Sequence, residues 1–389
     1  MVSPKGVNGG GKLDYLMVGG GPGSFIGGVH KMAVDLLGKA RLVGGCFSQS
    51  LDKSLAQARQ WGLDESRVYK THDEMFKAEA ARPDKPAFVV IVTPNHMHYP
   101  AAKAALEHGF HVSCDKPLCL SPAEADELVR FSRDKKLEFL VTYTYTGYPL
   151  VRQAREMVRR GDLGDIRLVQ AEYLQDWLSD ATGPENKQAD WRTDPARSGV
   201  AGCMGDIGSH AENLIHFITG LEMTSLSANL DTFVAGRKLD DNGFVWCTMN
   251  GGAKGSIWAS QVAIGRENGL SIRIYGTKGA IEWQQENPNQ MLYVAKGEPG
   301  RIMTRAQGYL HPHAARYTRL PTGHPEGLFE AFANLYDGFI SSIRARADGK
   351  EPGEFDLYPD VTDGARGIKF IHSCLDSNRK GCAWIDVKF

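Results

Sequence analysis

The first third of the chain alternates short apolar segments with segments of helical character. The apolar segments are rich in β-branched and aromatic residues, as buried strands usually are, and they cover 13–19, 41–47, 87–93, 111–115 and 138–144. Two of the intervening helices begin with capping boxes, "THDE" at 71–74 and "SPAE" at 121–124. Strand–helix alternation predicts a parallel, doubly wound sheet, and therefore an α/β domain.

The pattern changes near residue 145. A long strand candidate at 165–177 is followed by strand candidates separated by turns rather than helices, at 225–233, 244–250, 254–262, 270–276, 280–285 and 291–296. This order predicts a large, mainly antiparallel sheet, and helical periodicity returns at 325–346 and 359–379. Because 389 residues exceed what one core usually serves, we expect a flexible Gly-rich tail (1–12), an α/β domain (13–145) and an open-sheet α+β domain (146–389).

Composition excludes several classes of partner. The chain has 45 basic and 46 acidic residues, a net charge of -1, so it carries no basic excess for nucleic acid. No apolar run is long enough to span a bilayer, and the N-terminus lacks the apolar core of a secretory signal. Seven dispersed cysteines without a C-x-x-C pair favour reduced thiols, and we predict a cytoplasmic protein.

The stretch "VGGGPGSFIGGVH" (18–30) follows the first strand and opens a helix. In that context glycines permit a tight turn and let the backbone approach a dinucleotide pyrophosphate. The spacing is irregular, because Gly19-x-Gly21 begins the pattern, Ser24 holds the third place and Gly27 comes late, as if the loop were lengthened. A Rossmann dinucleotide-binding domain is predicted.

The end of the second strand leaves the identity of the dinucleotide open. An NAD-selective domain usually carries an acidic residue here, but the chain reads "FSQS" at 47–50. No arginine is present to grip a 2′-phosphate, and Lys53 is the nearest cation. The cofactor is predicted to be NAD or NADP.

Polar residues follow two later strands, which we count as the fourth and fifth: "TPNHMHYP" (93–100) and "CDKPL" (114–118). Ligands of doubly wound sheets bind beyond such strand ends. Desolvation there would lower the pKa of Lys116, which could then exchange a proton with a substrate hydroxyl; alternatively, Lys116 is a surface residue in a turn. The pair His96 and His98 supplies too few ligands for zinc, so packing or cofactor contact is expected. The same holds for His311 and His313, and no metal is predicted.

The stretch "GDIGSHAENL" (205–214) begins a helix on which Asp206 and His210 are four residues apart and share a face. An apolar stripe of Ile207, Ala211 and Leu214 lies beside them. Asp206 suits the first turn of a helix, where it could act as a cap, and His210 could be a buried, satisfied histidine. The alternative is that both side chains point into a site.

Together these segments resemble the glucose–fructose oxidoreductase / inositol dehydrogenase / MocA (Gfo/Idh/MocA) family over nearly the whole chain. The resemblance rests on the Gly-rich loop at 19–27, Thr93-Pro94-Asn95 with His98, Asp115-Lys116-Pro117, and Trp191-Arg192 followed by Gly205–His210. Two departures are Asp115, where the family usually has glutamate, and "YTYTGYP" (143–149), where it often has an Asn- or Arg-containing segment. The second leaves a substrate contact to Tyr145, Thr146 or Tyr148.

The resemblance implies NAD(P) held between a Rossmann domain and an open-sheet domain. Carried over by position, cofactor contacts are expected from Gly19, Gly21, Gly23, Ser24, Phe25, Ile26, Ser48, Lys53, Thr93, Pro94, Asn95, His98, Asp115 and Lys116. It also implies that Lys116 contacts the reacting hydroxyl, that His210 accepts its proton and that Asp206 holds the substrate or tunes the base. Substrate contacts are expected from Lys116, Tyr145, Trp177, Trp191, Arg192, Asp206, His210 and His324.

The expected activity is NAD(P)-dependent oxidation or reduction of a secondary hydroxyl of a sugar, glycoside or inositol. Aromatic residues beside amides and charges at 173–192 suit a polyhydroxylated ring, although Tyr173 and Trp177 could simply face a core. A glycosidase that uses NAD for transient oxidation and elimination is one alternative, and a non-catalytic NAD(P)-binding regulator is another. A homodimer or homotetramer is expected, because antiparallel sheets with an exposed face often pair between subunits.

Overall fold

The computed structural model describes residues 11–181, 186–387 and 389. Residues 1–10 of the predicted tail therefore lie outside the described residues, as do 182–185 within the aromatic-rich stretch. The chain forms two compact units. The first unit contains the described residues up to 119 together with 123–144 and 328–364. The second unit contains residues 120–122, 145–327 and the described residues from 365 onward.

The first unit contains a parallel five-stranded sheet in the order β2-β1-β3-β4-β5, which confirms the predicted doubly wound α/β fold. Its strands are β1 Leu13–Gly19, β2 Ala40–Cys46, β3 Phe88–Val92, β4 His111–Cys114 and β5 Phe139–Val141. The connecting helices are α1 Phe25–Leu37, α2 Leu51–Trp61, α3 His72–Ala80, α4 His98–Glu107 and α5 Pro122–Lys135. Every residue of β3 is buried, as expected for a central strand covered on both faces.

The predicted numbering of the strands was wrong by one. Val68 lies where a further strand would extend the sheet beyond β2, but it makes only an isolated parallel bridge with Gly45. The segments 93–100 and 114–118 therefore follow the third and fourth strands, β3 and β4, instead of a fourth and a fifth. Both still leave the carboxyl edge of the sheet, where ligands of such folds bind.

A long helix from late in the chain completes the core of the first unit. Helix α11, Leu328–Ala347, buries Tyr336, Phe339 and Ile340 in the same apolar cluster as strand residues of the sheet. The rings of Phe339 and Phe88 meet edge to face, with 5.4 Å between their centroids. This grouping differs from the predicted division, which assigned every residue after 145 to the second domain.

The second unit is built on a nine-stranded sheet in the order β13-β12-β11-β10-β6-β9-β8-β7-β14. All neighbouring strands are antiparallel except β6 and β9, which confirms a mainly antiparallel sheet. The strands are β6 Ile166–Leu174, β7 Met223–Asp231, β8 Asn242–Met249, β9 Lys254–Ser260, β10 Gly269–Gly276, β11 Gly279–Gln284, β12 Gln290–Ala295, β13 Arg301–Thr304 and β14 Ile385–Asp386.

Helices cover one face of this sheet, with α9 packed on β6, β9 and β10 and α6 packed on α9 and β11. The remaining helices of the chain are α6 Pro149–Arg159, α7 Lys187–Arg192, α8 Pro195–Ser198, α9 Ser209–Thr219, α10 Pro312–Ala315 and α12 Val361–Arg379. All seven cysteines are free thiols. Within the described ranges, no helix is long and apolar enough to cross a membrane.

Candidate active site

The glycine-rich loop leaves β1 through backbone conformations that favour glycine. Gly19, Gly20 and Gly23 have φ of 89°, 79° and 79°, in the left-handed region that other residues rarely adopt. A Cβ on Gly19 would lie 2.7 Å from the carbonyl oxygen of Val92 on the neighbouring strand. The chain thus turns sharply at the edge of the sheet while staying against β3.

Gly27 takes the part of the third glycine of the loop, which the irregular spacing of the sequence left unassigned. It lies in the first turn of α1, and a Cβ there would come within 2.5 Å of the Cα of Gly20. The loop and the helix therefore touch backbone to backbone at Gly20 and Gly27, as the third glycine of a dinucleotide fingerprint normally allows. Ser24, in the expected third place, instead precedes the helix as its N-cap residue.

The start of α1 suits the pyrophosphate of a dinucleotide. The helix begins at Phe25, and among the described residues neither a side-chain cap from Ser24 nor an acidic residue in the first turn competes for its amides. The partial positive charge of a helix N-terminus stabilises an anion placed there. Phe25 is largely exposed.

The end of β2 borders the same loop. A Cβ on Gly21 would lie 2.6 Å from the carbonyl oxygen of Phe47. The next residue, Ser48, makes two hydrogen bonds with the Ser54 hydroxyl. The backbone N–H of Ser48 donates to that hydroxyl at 2.9 Å, and the hydroxyl donates to the backbone carbonyl of Ser48 at 3.1 Å. Two predicted cofactor positions, Gly21 and Ser48, thus lie at one edge, whereas Lys53 is exposed in the first turn of α2.

His98 joins the ends of β3 and β4. Its Nε2 lies 2.8 Å from the carbonyl oxygen of Thr93 and its Nδ1 lies 2.8 Å from that of Pro117, so a neutral ring donates to one of the two. Burial lowers the pKa of His98, against the opposing effect of these carbonyls and of Asp115. The side chain therefore holds two strand ends together, beside half-buried Lys116, whose peptide bond to Pro117 is cis.

Two buried polar atoms at this edge are suited to a bound group. Among the described residues, neither the hydroxyl of Thr93 nor the Nδ1 of His96 has a hydrogen-bond partner. Buried polar atoms of native proteins are normally satisfied by protein, water or ligand. With the glycine turn and the start of α1, they form a carboxyl edge that fits a dinucleotide.

Asp115, which replaces the usual glutamate of the motif, belongs to a polar network in the first unit. Its Oδ1 accepts a hydrogen bond from the Thr142 hydroxyl at 2.5 Å and lies 3.0 Å from the Nε2 of His30. The other ring nitrogen of His30 lies 2.5 Å from the Tyr336 hydroxyl, which is 3.1 Å from the hydroxyl of Ser113. Burial alone would raise the pKa of Asp115, but His30 and Thr142 outweigh it and the pKa is lowered.

Sequence reasoning missed both His30 and Tyr336. His30 lies on the buried face of α1 together with Val29, Ala33 and Val34, and a histidine among such residues was a usable signal of a buried partner. Tyr336 offered no such signal, because its contact with His30 spans 306 positions of the chain.

In the second unit, the helix that carries Asp206 and His210 does not begin as a regular α-helix. Residues Met204–Gly208 form a π-helical turn, in which the N–H of Ser209 donates to the carbonyl of Met204, and α9 begins at Ser209. Asp206 therefore lies in the π-turn and His210 in the first turn of α9, whereas the sequence predicted one regular α-helix for both. A π-turn inside a helix is rare and is often found at functional sites.

Asp206 lies in the first turn, as expected, but it is not the N-cap residue, which is Cys203. The backbone N–H groups of Gly202 and Met204 donate to the carboxylate of Asp240, at 2.6 and 2.8 Å. Asp240 is buried, and burial raises its pKa despite these hydrogen bonds. Because Asp240 satisfies the start of this helix, the carboxylate of Asp206 is left for other contacts.

Asp206 is held from two sides. Its Oδ2 accepts a hydrogen bond from the amide of Gln261 at 2.9 Å, and the Nε of Arg192 lies 3.3 Å from the same oxygen. The guanidinium group of Arg192 lies over the Trp191 ring at 4.2 Å and near the Trp177 ring at 5.8 Å. The predicted residues Trp177, Trp191, Arg192 and Asp206 are therefore brought together, and Gln261 joins them.

The ring of His210 is buried against two tyrosines. Its centroid lies 4.8 Å from that of Tyr145 and 5.9 Å from that of Tyr173, both edge to face. The two tyrosine hydroxyls hydrogen-bond to each other, and Tyr173 donates to Oδ1 of Asn268 at 2.7 Å. Burial raises the pKa of Tyr145, and the charge of Asp206 adds to the shift. Burial raises the pKa of Tyr173 as well, so both phenols are protonated at neutral pH.

This polar chain continues toward Trp177, because Gln175 donates to Asn268 at 2.8 Å and Trp177 donates to Gln175 at 2.8 Å. Sequence reasoning missed Gln175, Gln261 and Asn268, and no local pattern marked them. The predicted substrate residue His324 is exposed in a turn. Beside a buried imidazole, this unit thus gathers a fixed carboxylate, phenols and amides, which can accept a proton and bind several hydroxyl groups.

Comparison with known proteins agrees with this geometry. Residues 13–143 match an oxidoreductase family described as an NAD-binding Rossmann fold, and residues 151–282 match the GFO/IDH/MocA C-terminal domain. The chain belongs to the GFO/IDH/MocA oxidoreductase family. The resemblance carried by the sequence motifs is thereby confirmed, and the protein is an NAD-binding oxidoreductase of this family.

Three relatives within the family illustrate the likeness. The uncharacterised oxidoreductase YfiI of Bacillus subtilis is 35% identical over 381 residues, which cover 97% of each chain. An inositol dehydrogenase homologue of Azotobacter vinelandii, solved with NADH and myo-inositol, is 35% identical with a TM-score of 0.90 over 97% of this chain and 98% of that one. The levoglucosan dehydrogenase of Pseudarthrobacter phenanthrenivorans is 28% identical over 77% of this chain and 79% of its own.

Proposed function

We propose that the protein is an NAD-dependent dehydrogenase that oxidises or reduces a secondary hydroxyl of a sugar, glycoside or inositol-like polyol. The observation that carries the proposal is the setting of His210. The imidazole is buried against Tyr145 and Tyr173, on the helix that also carries Asp206, whose carboxylate is fixed by Arg192 and Gln261. A buried, oriented imidazole is a suitable proton acceptor at neutral pH.

In this proposal each polar side chain has one task. His210 accepts the proton of the reacting hydroxyl, and Lys116 contacts the same hydroxyl. The carboxylate of Asp206, held by two partners, accepts hydrogen bonds from substrate hydroxyls. The bound nicotinamide supplies the chemistry of hydride acceptance. The side chains of the protein must remove the hydroxyl proton when the hydride leaves the substrate carbon.

The cofactor is expected to be held by the carboxyl edge of the first unit. The start of α1 would meet the pyrophosphate, with Gly19, Gly21, Gly23, Ser24 and Ile26 supplying backbone contacts. Thr93, Pro94 and Asn95 follow β3 at this edge, and the buried Thr93 hydroxyl offers a polar contact. Ser48 at the end of β2 would face the ribose. We expect NAD to be preferred to NADP, because no arginine is positioned at "FSQS" to bind a 2′-phosphate.

The substrate class rests on the gathered donors and acceptors and on the relatives. Arg192, Gln188 and Trp191 form a contiguous group, in which Arg192 donates to the side-chain oxygen of Gln188 at 2.7 Å. Aromatic faces beside amides and charges suit the C–H faces and hydroxyls of a polyol ring. A homologue solved with myo-inositol and a relative named for levoglucosan favour the same class.

The proposal is tested by supplying the purified protein with NAD or NADP and a panel that contains myo-inositol, levoglucosan, free sugars and glycosides. We expect accumulation of NADH with at least one cyclic polyol, and a smaller or absent response with NADP. Cleavage of a glycoside without net NADH would favour the NAD-dependent glycosidase instead. Absence of both reactions at high enzyme concentration would contradict the proposal.

Self-association is proposed through the face of the large sheet on which Phe244, Trp246 and Leu168 are exposed. Strand register places Phe244 and Trp246 of β8 and Leu168 of β6 on one face, and all three side chains are exposed. Large exposed apolar side chains on one face are typical of subunit contacts. Light scattering should report a dimer or tetramer for the wild type and a smaller species for Trp246→Lys; equal masses would contradict this surface.

A further inference from the structure

Three potential metal ligands meet in the second unit, away from Asp206 and His210 in the sequence. His311 and His313 flank Pro312 at the start of α10, and Glu156 comes from α6, 155 positions earlier than His311. The Nδ1 of His313 lies 2.8 Å from one oxygen of Glu156, and the Nδ1 of His311 lies 3.7 Å from the other. The sequence offered only two ligands here, and the fold supplies a third.

We propose that Glu156, His311 and His313 bind a divalent transition metal, with Zn²⁺ as the preferred ion. Their ligand atoms all lie within 4.8 Å of one another, and among the described residues no other group of three or more His, Cys, Asp or Glu side chains meets this condition. Two imidazoles and a carboxylate are a common zinc donor set, with bonds of about 2.0–2.2 Å and a fourth ligand that can be water. Zinc is favoured over Mg²⁺ or Ca²⁺, which prefer all-oxygen sites.

The burial of the three ligands suits an ion. Glu156 and His313 are almost fully buried, whereas the His311 side chain is 23% exposed, so an ion and a coordinated water could enter from that side. As the N-cap of α10, the His311 side chain accepts a hydrogen bond from the backbone N–H of His313. The backbone N–H of His311 donates to the side-chain oxygen of Gln153 on α6 at 2.8 Å. The His311 ring and the backbone at the start of α10 are thus constrained by hydrogen bonds.

One neighbouring cation opposes metal binding. The guanidinium group of Arg159 lies 3.1 Å from Glu156, one turn along α6, and its side chain is 54% exposed. The arginine end of this ion pair is exposed, whereas the carboxylate end is buried. Because more than half of its side chain is exposed, Arg159 can turn toward solvent when an ion takes the carboxylate.

The bound ion would fasten a long irregular segment to a helix. Residues 305–327, between β13 and α11, contain only the short helix α10, and such long irregular segments are uncommon in compact domains and often serve a function. A buried ion pair between Arg305 and Glu326, 2.8 Å apart, ties the two ends of the segment together. Zinc at His311 and His313 would fasten its middle to α6.

The first experiment uses the full chain without a histidine tag, stripped with a chelator and titrated calorimetrically with Zn²⁺. We expect one saturable site per chain and a higher thermal midpoint with Zn²⁺ than with the chelator. Co²⁺ in place of Zn²⁺ should give the intense visible absorption of a tetrahedral ion. No saturable binding, or the weak spectrum of an octahedral Co²⁺ ion, would overturn the proposal.

The second experiment assigns the ligands. His311→Asn removes an imidazole but keeps a residue that caps helices well, so the variant should fold while losing most of its Zn²⁺ affinity, by at least 100-fold. The matched control is His216→Asn, which removes the histidine beside Glu222 in the same unit, 3.8 Å away, and should keep the site. Equal Zn²⁺ affinity in wild type and His311→Asn would overturn the assignment. If that variant fails to fold, the Co²⁺ spectrum of the wild type alone tests the proposed site.

Discussion

The Nε of Arg192 lies 3.3 Å from the Oδ2 of Asp206, within one unit of the chain. The same arginine rests on the Trp191 ring and donates to Gln188, so its guanidinium plane is fixed by three kinds of contact. Asp206 is therefore a held carboxylate, oriented before substrate arrives. A carboxylate that binds substrate hydroxyls benefits from this preorganisation, because the entropy of orienting the carboxylate is lost during folding and not during substrate binding.

Replacing Arg192 should weaken substrate binding more than cofactor binding. Lysine keeps the charge but loses the planar fork and the stacking on Trp191, so Arg192→Lys should raise the KM for the polyol by about tenfold to 100-fold with the NAD affinity unchanged. Steady-state kinetics and NAD titration measure the two effects. Arg197→Lys is the matched control, since Arg197 pairs with exposed Asp190 at 2.6 Å; equal effects of both substitutions would contradict a role for Arg192.

Two adjacent glycines of α1 allow a test of the cofactor loop. A Cβ at Gly27 would collide with Gly20, 2.5 Å away, whereas a Cβ at Gly28 meets nothing within 4 Å. We expect Gly27→Ala to weaken NAD binding at least tenfold, because the loop must move. Gly28→Ala should bind NAD normally and stabilise the helix by about 0.5–1 kcal/mol. Calorimetry and thermal unfolding measure both, and normal NAD binding by Gly27→Ala would refute the packing argument.

Local patterns were sufficient for most of the secondary structure. The first strand was predicted at 13–19 and is observed at Leu13–Gly19, because a short apolar run followed by glycines is a signal contained within a few residues. Strands β13 and β14 were not predicted, since four and two residues of ordinary composition leave no periodic signal. The isolated bridge at Val68 likewise has no strand around it in the structure.

The candidate site was predictable only where its residues form motifs. Asp206, His210 and Lys116 could be recognised because each lies in a short stretch, "GDIGSHAENL" or "CDKPL", that contains several polar or charged side chains. The contacts that orient these motifs come from distant positions: Gln261 reaches Asp206 across 55 residues and Tyr336 reaches His30 across 306. Such contacts depend on which strand or helix packs where, and the placement of α11 in the first unit was not predicted from the sequence.

The network around Asp115 should contribute to the stability of the first unit. Tyr336→Phe removes a hydroxyl that lies within hydrogen-bond distance of His30 and Ser113 and leaves their buried polar atoms unsatisfied. Loss of such a partner costs about 1–3 kcal/mol. Urea unfolding, with amide exchange in β3 and β4 as a local readout, should show this loss. Tyr309→Phe, at an exposed tyrosine, is the control; if both variants match wild type, the network contributes nothing.

Acidification should destabilise the first unit through His111. Its Nδ1 accepts the N–H of Glu138 at 2.8 Å, which requires a neutral nitrogen, and burial, followed by Lys85 and Arg346, lowers its pKa to about 3. Because the unfolded pKa is about 6.5, the unfolded chain takes up this proton first. This contribution to stability is complete above about pH 6.5 and is lost as the pH falls toward 3, by at most about 1.4 kcal/mol per pH unit. Urea unfolding between pH 7 and 4 should show a shallower decline for His111→Gln; parallel curves would contradict the assignment.

The central claim, that His210 accepts the hydroxyl proton, is tested most directly by the kcat of His210→Gln with NAD and the most active polyol of the panel. We predict that kcat falls by about 10²–10⁴-fold, that the affinity for NAD stays within twofold of wild type, and that part of the lost rate returns as the pH is raised and solvent takes the proton. A kcat equal to that of the wild type would remove His210 from the reaction and contradict the account.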